Sequence, residues 1–325
     1  MTVPSVPARA GEEAPPPGAP AGAPAGRGRR RIGRRDRLVL GLMLGIPAAV
    51  HLLLVWGPTF GSIALSFAQW DGIGGWSDIK WVGLDNYSQI IEVYPPFWTA
   101  VRNNLIWLAT FILVPTPFGL LLAVILDKQM RFSRFYQSAI YLPVVLSLAV
   151  VGLIWQYVYS TDNGLVNNLL DRGLGSAAPD HVDWFGNRSL NIWAALVAAS
   201  WRHTGYIMVL YLAGLKAVDP ALKEAAAIDG AGEWASFRHV VFPSLRPVNV
   251  VVLVVTVIES LRAFDIVWVI NKGTNGLELL STLVAENIVG EAQRIGYGSA
   301  LAVMLLVISV GFVSTYLVQT FREER

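Results

Sequence analysis

A few residues able to do chemistry in this chain lie inside long apolar runs, where a polar side chain is expensive and usually marks a functional path. Between Val248 and Ile270 these are Glu259, Ser260, Arg262 and Asp265, and between Leu190 and Leu212 they are Trp201, Arg202, His203 and Tyr206. Glu259 and Arg262 are three residues apart, so on a helix they can face each other as an ion pair. His51, alone in the first apolar run, reads as a histidine hydrogen-bonded between helices. Covalent chemistry has no foothold. The chain contains no cysteine, no G-x-S-x-G nucleophile turn and no His-rich cluster. Asp180-His181-Val182-Asp183 lacks a fourth ligand, which argues against a metal site. No G-x-x-x-x-G-K-[ST] loop is present to cradle a nucleotide phosphate. The catalytic and metal-ligating sets are therefore expected to be empty, and the polar groups to line a path or brace helices.

Composition says what must position those groups. The 325-residue chain is 54% hydrophobic and 15% charged, with a mean hydropathy of +0.50, against roughly 25% charged in an ordinary soluble domain. Twelve tryptophans suit many membrane–water interfaces, where the indole prefers to sit. A net charge of +2 is too small to imply nucleic acid, and the implied partner is the lipid bilayer. The expected fold is an all-α integral membrane protein. Six apolar segments reach the length of about 20 residues needed to cross a hydrocarbon core. They cover about Leu38 to Phe67, Leu105 to Leu126, Ser138 to Tyr159, Leu190 to Leu212, Val248 to Ile270 and Leu301 to Phe321. Pro47, Pro58, Pro115, Pro117 and Pro143 suggest kinks that neighbouring helices can accommodate.

Before the first segment, residues 1–36 form an Ala/Pro/Gly/Arg-rich tail that cannot bury a core, leaving 37–325 as the membrane domain. The arginine block Arg27 to Arg37 reads as a cytoplasmic anchor to anionic lipid. A twin-arginine export signal at Arg34-Arg35 is the alternative, and no small-residue cleavage site supports it. Orientation follows from the loop cations. Lys128/Arg131/Arg134, Lys216/Lys223/Arg238/Arg246 and Arg322/Arg325 alternate with loops at 70–98, 161–188 and 271–294 that carry more acid than base. Both termini, and the loop from about 218 to 243, are expected on the cytoplasmic side.

That loop is the most distinctive stretch of the chain. Leu222, Ala225, Ala226 and Ile228 fall at helical spacing, and Asp229-Gly230 ends the helix because glycine accepts angles other residues resist. A second amphipathic segment follows, with Trp234, Phe237 and Val241 on one face, before Pro243 and Pro247. Glu224-Ala225-Ala226, Asp229-Gly230-Ala231, Phe237, Val240 and Phe242-Pro243 together resemble the EAA loop of ABC-importer permease subunits. A bare E-A-A triplet is good helix-forming sequence anywhere, so the match rests on the whole set and its place before the penultimate span. Val240 and Phe242 stand where the family more often has Ile and Leu. Trp81 to Tyr87 (W-V-G-L-D-N-Y), Phe97 to Asn104, Leu261 to Asp265 and Gly296 to Ala302 further resemble carbohydrate permeases of the maltose-transporter type. Asn271 to Gly276 (N-K-G-T-N-G) departs from the T-x-G-G-P such permeases often carry.

The resemblance implies a six-helix permease that imports a sugar, a di- or oligosaccharide, across a bacterial plasma membrane. Its partners would be a second permease, two copies of an ATPase holding ATP and Mg, and an extracytoplasmic binding protein. The permease itself would hold no cofactor. It implies that Glu224, Ala225, Ala226, Asp229, Gly230, Ala231 and Phe237 form the coupling element, with Glu224 facing a cation of the ATPase cleft. Glu259 and Ser260 then become candidates for a sugar site, since hydroxyls need planar acceptors. Trp201 and Tyr206 become candidates for stacking on sugar faces. The structural alternatives are an internal ion pair for the first two and an interface belt for the aromatics. Arg262 and Asp265 read as structural. Another polar cargo such as glycerol phosphate, an ion-coupled secondary transporter and an intramembrane enzyme are the rival classes. The second would need internal repeats and mid-span acids, and only Glu259 qualifies.

Overall fold

The computed structural model describes residues 33–128, 131–175, 181–290 and 293–322. Of the disordered tail expected over residues 1–36, residues 1–32 lie outside the described residues, as do Asp180 and Glu291, and Arg34 to Asp36 already belong to the first helix. The chain divides after Trp56 into two units. The first holds helix α1 (Arg34–His51), which contains Pro47, passes into a π-helical turn at Leu52–Trp56 and buries none of its residues. Beyond its charged first turn, the run Leu38 to Val50 is apolar on every side and unburied, which suits a lipid environment.

The second unit begins with α2 (Gly57–Leu65) and a two-stranded hairpin, β1 (Ala68–Gln69) antiparallel to β2 (Lys80–Trp81), with Ala68 opposite Trp81. Helices α3 (Asp85–Glu92), α4 (Pro95–Leu113), α5 (Pro115–Asp127), α6 (Ser133–Val145), α7 (Leu148–Val158) and α8 (Leu165–Leu174) follow. Then come α9 (Asn191–Ala217), α10 (Pro220–Ile228), α11 (Glu233–Ser236), a π-helical turn (Phe237–Val241), α12 (Phe242–Ser244), α13 (Arg246–Leu261), α14 (Asp265–Asn271), α15 (Leu280–Ile288) and α16 (Ile295–Arg322). The fold is that of an all-α membrane protein carrying one small hairpin.

Among the described residues, three helical stretches are long and apolar enough to cross a membrane: Arg34–Leu65, Pro95–Asp127 and Ile295–Tyr316. Two bent pairs raise the number to five if each counts as one span. Two of the expected spans are not single helices. The segment expected over 138–159 turns by 100° between α6 and α7. Pro143 lies two residues from the end of α6, Leu146 and Ser147 are extended, and the Ser147 hydroxyl caps α7 by accepting the Val150 amide at 3.3 Å. The segment expected over 248–270 breaks at Arg262–Phe264, where the charged residues cluster, before α14 starts at Asp265. The segment expected over 190–212 runs on to Ala217 and then turns by 71° into α10.

Helix α9 is the axis of the second unit. Small residues let its neighbours come close, as membrane helices need where packing rather than the hydrophobic effect drives association. A Cβ on Gly119 of α5 would lie 2.8 Å from Ile207 of α9, and a Cβ on Gly205 would lie 2.5 Å from the Ile140 carbonyl of α6. Toward one end of α9, Ile192, Leu196, Trp107, Ile266 and Leu279 form one buried cluster. Toward the other, Ile207, Met208, Tyr211 and Leu215 pack with Ala123, Val241 and Leu245. A third cluster joins Ile90, Phe97 and Leu283 to Tyr297 and Leu301 at the start of α16.

Candidate functional site

The loop between α9 and α13 is built around α10. Asp219 caps it, its carboxylate accepting the Ala221 amide at 2.9 Å, and Pro220 occupies the first turn, where no amide is missed. At the other end the Gly230 amide donates to the Ala227 carbonyl at 3.1 Å and the Ala231 amide to the Ala226 carbonyl at 2.9 Å. This pair of bonds is the Schellman closure, and it requires the left-handed φ of +78° that Gly230 adopts. A Cβ there would meet nothing within 4 Å, so backbone angle, not space, demands glycine.

The residues of the EAA-like set divide between two faces. Glu224, Ala225, Asp229 and Gly230 are exposed, and Ile228 beside them is 87% exposed. Ala226 is buried against the chain itself, Ala231 is half-buried, and Phe237 packs with Val241 and Leu245. Trp234 stacks on Phe237 at 5.8 Å while remaining largely exposed. The second arm is therefore rooted in the core through Phe237 and Val241, and α10 presents its acidic and small residues outward.

The end of α5 meets both arms. Asp127 pairs with Lys223 of α10 at 3.3 Å, and Lys128 pairs with Glu233 of α11 at 2.6 Å. The Lys128 hydrogen bond and charge hold the Glu233 carboxyl below its ordinary range. Between these contacts lies a cavity of about 690 Å³, floored by apolar residues that include Leu120, Val124 and Leu215. Neither Asp127 nor Lys128 stood out in the sequence as a site residue. The available signal was an adjacent acid and base ending a span in a chain poor in charge.

A second, polar cavity of about 330 Å³ opens where α6/α7 and α13/α14 break, lined by Ser147, Arg202, Glu259, Arg262, Asp265 and small apolar neighbours. Glu259 faces Arg202 of α9 at 3.9 Å, not Arg262 one turn along its own helix as the spacing suggested. The reason is the helix end. Arg262 is the C-cap of α13 and exposed, whereas Arg202 approaches from the packed neighbour. Ser260 is fully buried, its hydroxyl donates to the Val257 carbonyl at 3.0 Å, and it does not line this cavity. Trp201 is 42% exposed with its ring edge-on to Trp155 at 5.9 Å, and Tyr206 is half-buried with its ring 6.3 Å from His203. His203 is buried, stacked on Phe111 at 4.4 Å and bonded to Thr256 at 3.2 Å, which ties α9 to α4 and α13. The structure thus brings Glu259 to an open polar cavity and places Ser260 inside the helix packing.

Other resembling segments turn out to hold backbone. Asn103 donates to the carbonyls of Gly276 and Glu278, and Asn104 accepts the Leu280 amide at 2.9 Å while donating to the Ser260 carbonyl at 3.4 Å. They fix the loop in which Lys272, Gly273, Asn275 and Gly276 all have positive φ. Asn86 donates to the carbonyls of Ser66 and Ala68, and Tyr87 to the Ser66 hydroxyl. A Cβ on Gly296 would run into the Ala68 carbonyl, so the start of α16 fits against β1 only as glycine.

Among the described residues no cluster of three or more His, Asp or Glu could hold a metal. Residues 115–323 match the family described as binding-protein-dependent transport system inner membrane component. The chain is 32% identical over 285 residues to the xylose/arabinose import permease XacH of Haloferax volcanii, covering 86% of this chain and 87% of the relative. It is 32% identical over 255 residues to the arabinooligosaccharide permease AraP of Bacillus subtilis, covering 76% and 79%. A bacterial ABC transporter that imports the acidic polysaccharide alginate has the same fold, with a TM-score of 0.75 at 22% identity, covering 89% of this chain and 96% of that one. This chain belongs to the family of binding-protein-dependent transport system inner membrane components, the permease subunits of ABC importers, in which ATP hydrolysis resides in a separate subunit.

Proposed function

We propose that this permease imports a sugar, of di- or oligosaccharide size, delivered by an extracytoplasmic binding protein. The reading is supported by relatives named for xylose/arabinose import, for arabinooligosaccharide transport and, as a probable one, for transport of starch degradation products. In this reading six crossings place both termini and the α10 loop in the cytoplasm of a bacterial cell, and a second permease completes the path. Two ATPase subunits, which hold the ATP and Mg, dock on the loop. The carrying observation is the outward display of Glu224, Ala225, Asp229 and Gly230 on a helix closed at both ends and rooted through Phe237. Closure of the ATPase dimer pushes α10, and the thrust passes into α9 and α13 as a rigid-body movement.

The polar cavity at the two helix breaks is the sugar path. Glu259 offers a planar acceptor there, the Trp201 and Tyr206 rings offer stacking faces on α9, and Ser260 supports the helix behind. The test is uptake and ATPase activity of the complete transporter in proteoliposomes. Glu224→Lys is expected to separate hydrolysis from uptake, while Tyr206→Ala and Glu259→Ala impair uptake with the ATPases still assembled. Uptake driven by an ion gradient without the ATPases would overturn the reading in favour of a secondary transporter.

A further inference from the structure

We propose that Asp127 and Lys128, the last residue of α5 and the one after it, are positioning residues that clamp the α10 loop to the membrane core, so that loop and α5 move as one body. This rests on the coupling role proposed above and extends it to a helix outside the loop's own chain neighbours.

Three observations carry it. First, two consecutive residues reach two different arms: Asp127 takes Lys223 of α10 and Lys128 takes Glu233 of α11. The charges alternate, so the register is fixed. Sliding the loop by one partner would set Lys128 against Lys223, a like-charge contact. Second, a cavity of about 690 Å³ opens between α5 and the α10–α11 part of the loop, which makes little backbone contact with α5. Only the second arm, through Phe237 and Val241, joins the buried cluster that holds Ala123 and Leu126. A thrust on α10 and α11 therefore has little direct packing through which to reach α5, and the ion pairs at the cavity rim bridge it. Third, α5 is pressed along α9 at Gly119, so a helix moved by the clamp carries the centre of the second unit with it.

Exposed ion pairs stabilise a fold very little, typically by less than about 1 kcal/mol. That suits a latch, whose work is registration rather than stability. A purely structural role would show as lost protein, and a clamp shows as lost coupling.

The experiment uses the complete transporter in proteoliposomes and reads sugar taken up per ATP hydrolysed. Lys128→Glu and Asp127→Lys are each expected to lower that ratio, roughly two- to fivefold from the scale of such pairs. The charge-swapped doubles Lys128→Glu/Glu233→Lys and Asp127→Lys/Lys223→Asp are expected to restore it. Because the chain has no cysteine, the clamp can also be rebuilt covalently. Lys128→Cys/Glu233→Cys should lose coupling as the single reversals do and regain it when a bismaleimide joins the two thiols. Loss of uptake on tethering would overturn the clamp, since the loop would then have to move relative to α5. Failure of the tether to form would overturn it by showing the two positions apart. If Glu224→Lys uncouples while every clamp variant behaves as the parent, the clamp falls and the coupling reading stands. If Glu224→Lys is also silent, both fall.

Discussion

Gly230 carries more of the loop's geometry than any residue near it, and its requirement is separable from crowding. With φ at +78° and open space around a would-be Cβ, replacing it tests backbone angle alone. Asparagine visits the left-handed region readily, and alanine pays about 1–2 kcal/mol for it. Proline cannot adopt the angle and removes the amide that bonds to Ala227. Coupled uptake is therefore expected to fall in the order Gly230, Asn, Ala, Pro, measured as sugar per ATP in proteoliposomes, and a Pro variant equal to the parent would contradict it. Glu233 allows a second residue-level check. Its carboxyl is held below the usual 4.5, so the Lys128 pair is intact above that range and is lost as pH falls through the lowered value. Lys128→Ala should move the Glu233 titration back up, read from its side-chain carboxyl carbon by NMR. The glycine was legible in the sequence because Asp-Gly after a helical run is a local signal. The partner of Glu259 was not, because spacing reports only neighbours on one helix and Arg202 belongs to another.

At the scale of elements, hydropathy located the apolar stretches but was blind to where they break. Leu261–Asp265 lies inside an expected span, yet the structure ends α13 at Leu261 and restarts at Asp265. The charges there were the available sign, since a break leaves backbone groups that need polar company. What holds this break in place is α4. Asn104 spans from the Leu280 amide to the Ser260 carbonyl, joining the segments on either side of it. Asn104→Leu would leave both backbone groups buried without that partner, at about 1–3 kcal/mol for each unpaired group. The variant should melt several degrees lower in detergent and lose uptake together with stability. Ser88→Ala, on an exposed hydroxyl bonded to the Asp85 carbonyl, serves as the control expected to change neither. An Asn104→Leu variant as stable as the parent would mean that the loop holds itself, through its own glycines and the Asn191 bond to the Asn275 carbonyl.

At the scale of the molecule the open quantity is how many times the chain crosses, and the charge pattern and the helix lengths answer it differently. Among the described residues, helix length and composition give three spans, or five with the bent pairs counted, and the α13–α14 stretch is in neither set. The count of loop lysines and arginines, four at 216–246 against two at 271–294, favours a sixth crossing there, which would put these two loops on opposite sides. A chain without cysteine makes the question direct. Single cysteines replacing Ser77, Thr274 and Asp229, all exposed, are expected to divide under a membrane-impermeant maleimide applied to intact cells. Ser77→Cys and Thr274→Cys should label from outside, and Asp229→Cys only after permeabilisation. Labelling of Thr274→Cys from the inside alone would make α13 and α14 a re-entrant pair. That result would leave an odd number of crossings, place the termini on opposite faces and remove the basis for a cytoplasmic C-terminus. Outside labelling of Thr274→Cys would instead make the helix break part of a full crossing. The polar cavity of Arg202, Glu259, Arg262 and Asp265 would then lie along the membrane path, where a hydroxylated solute has to pass.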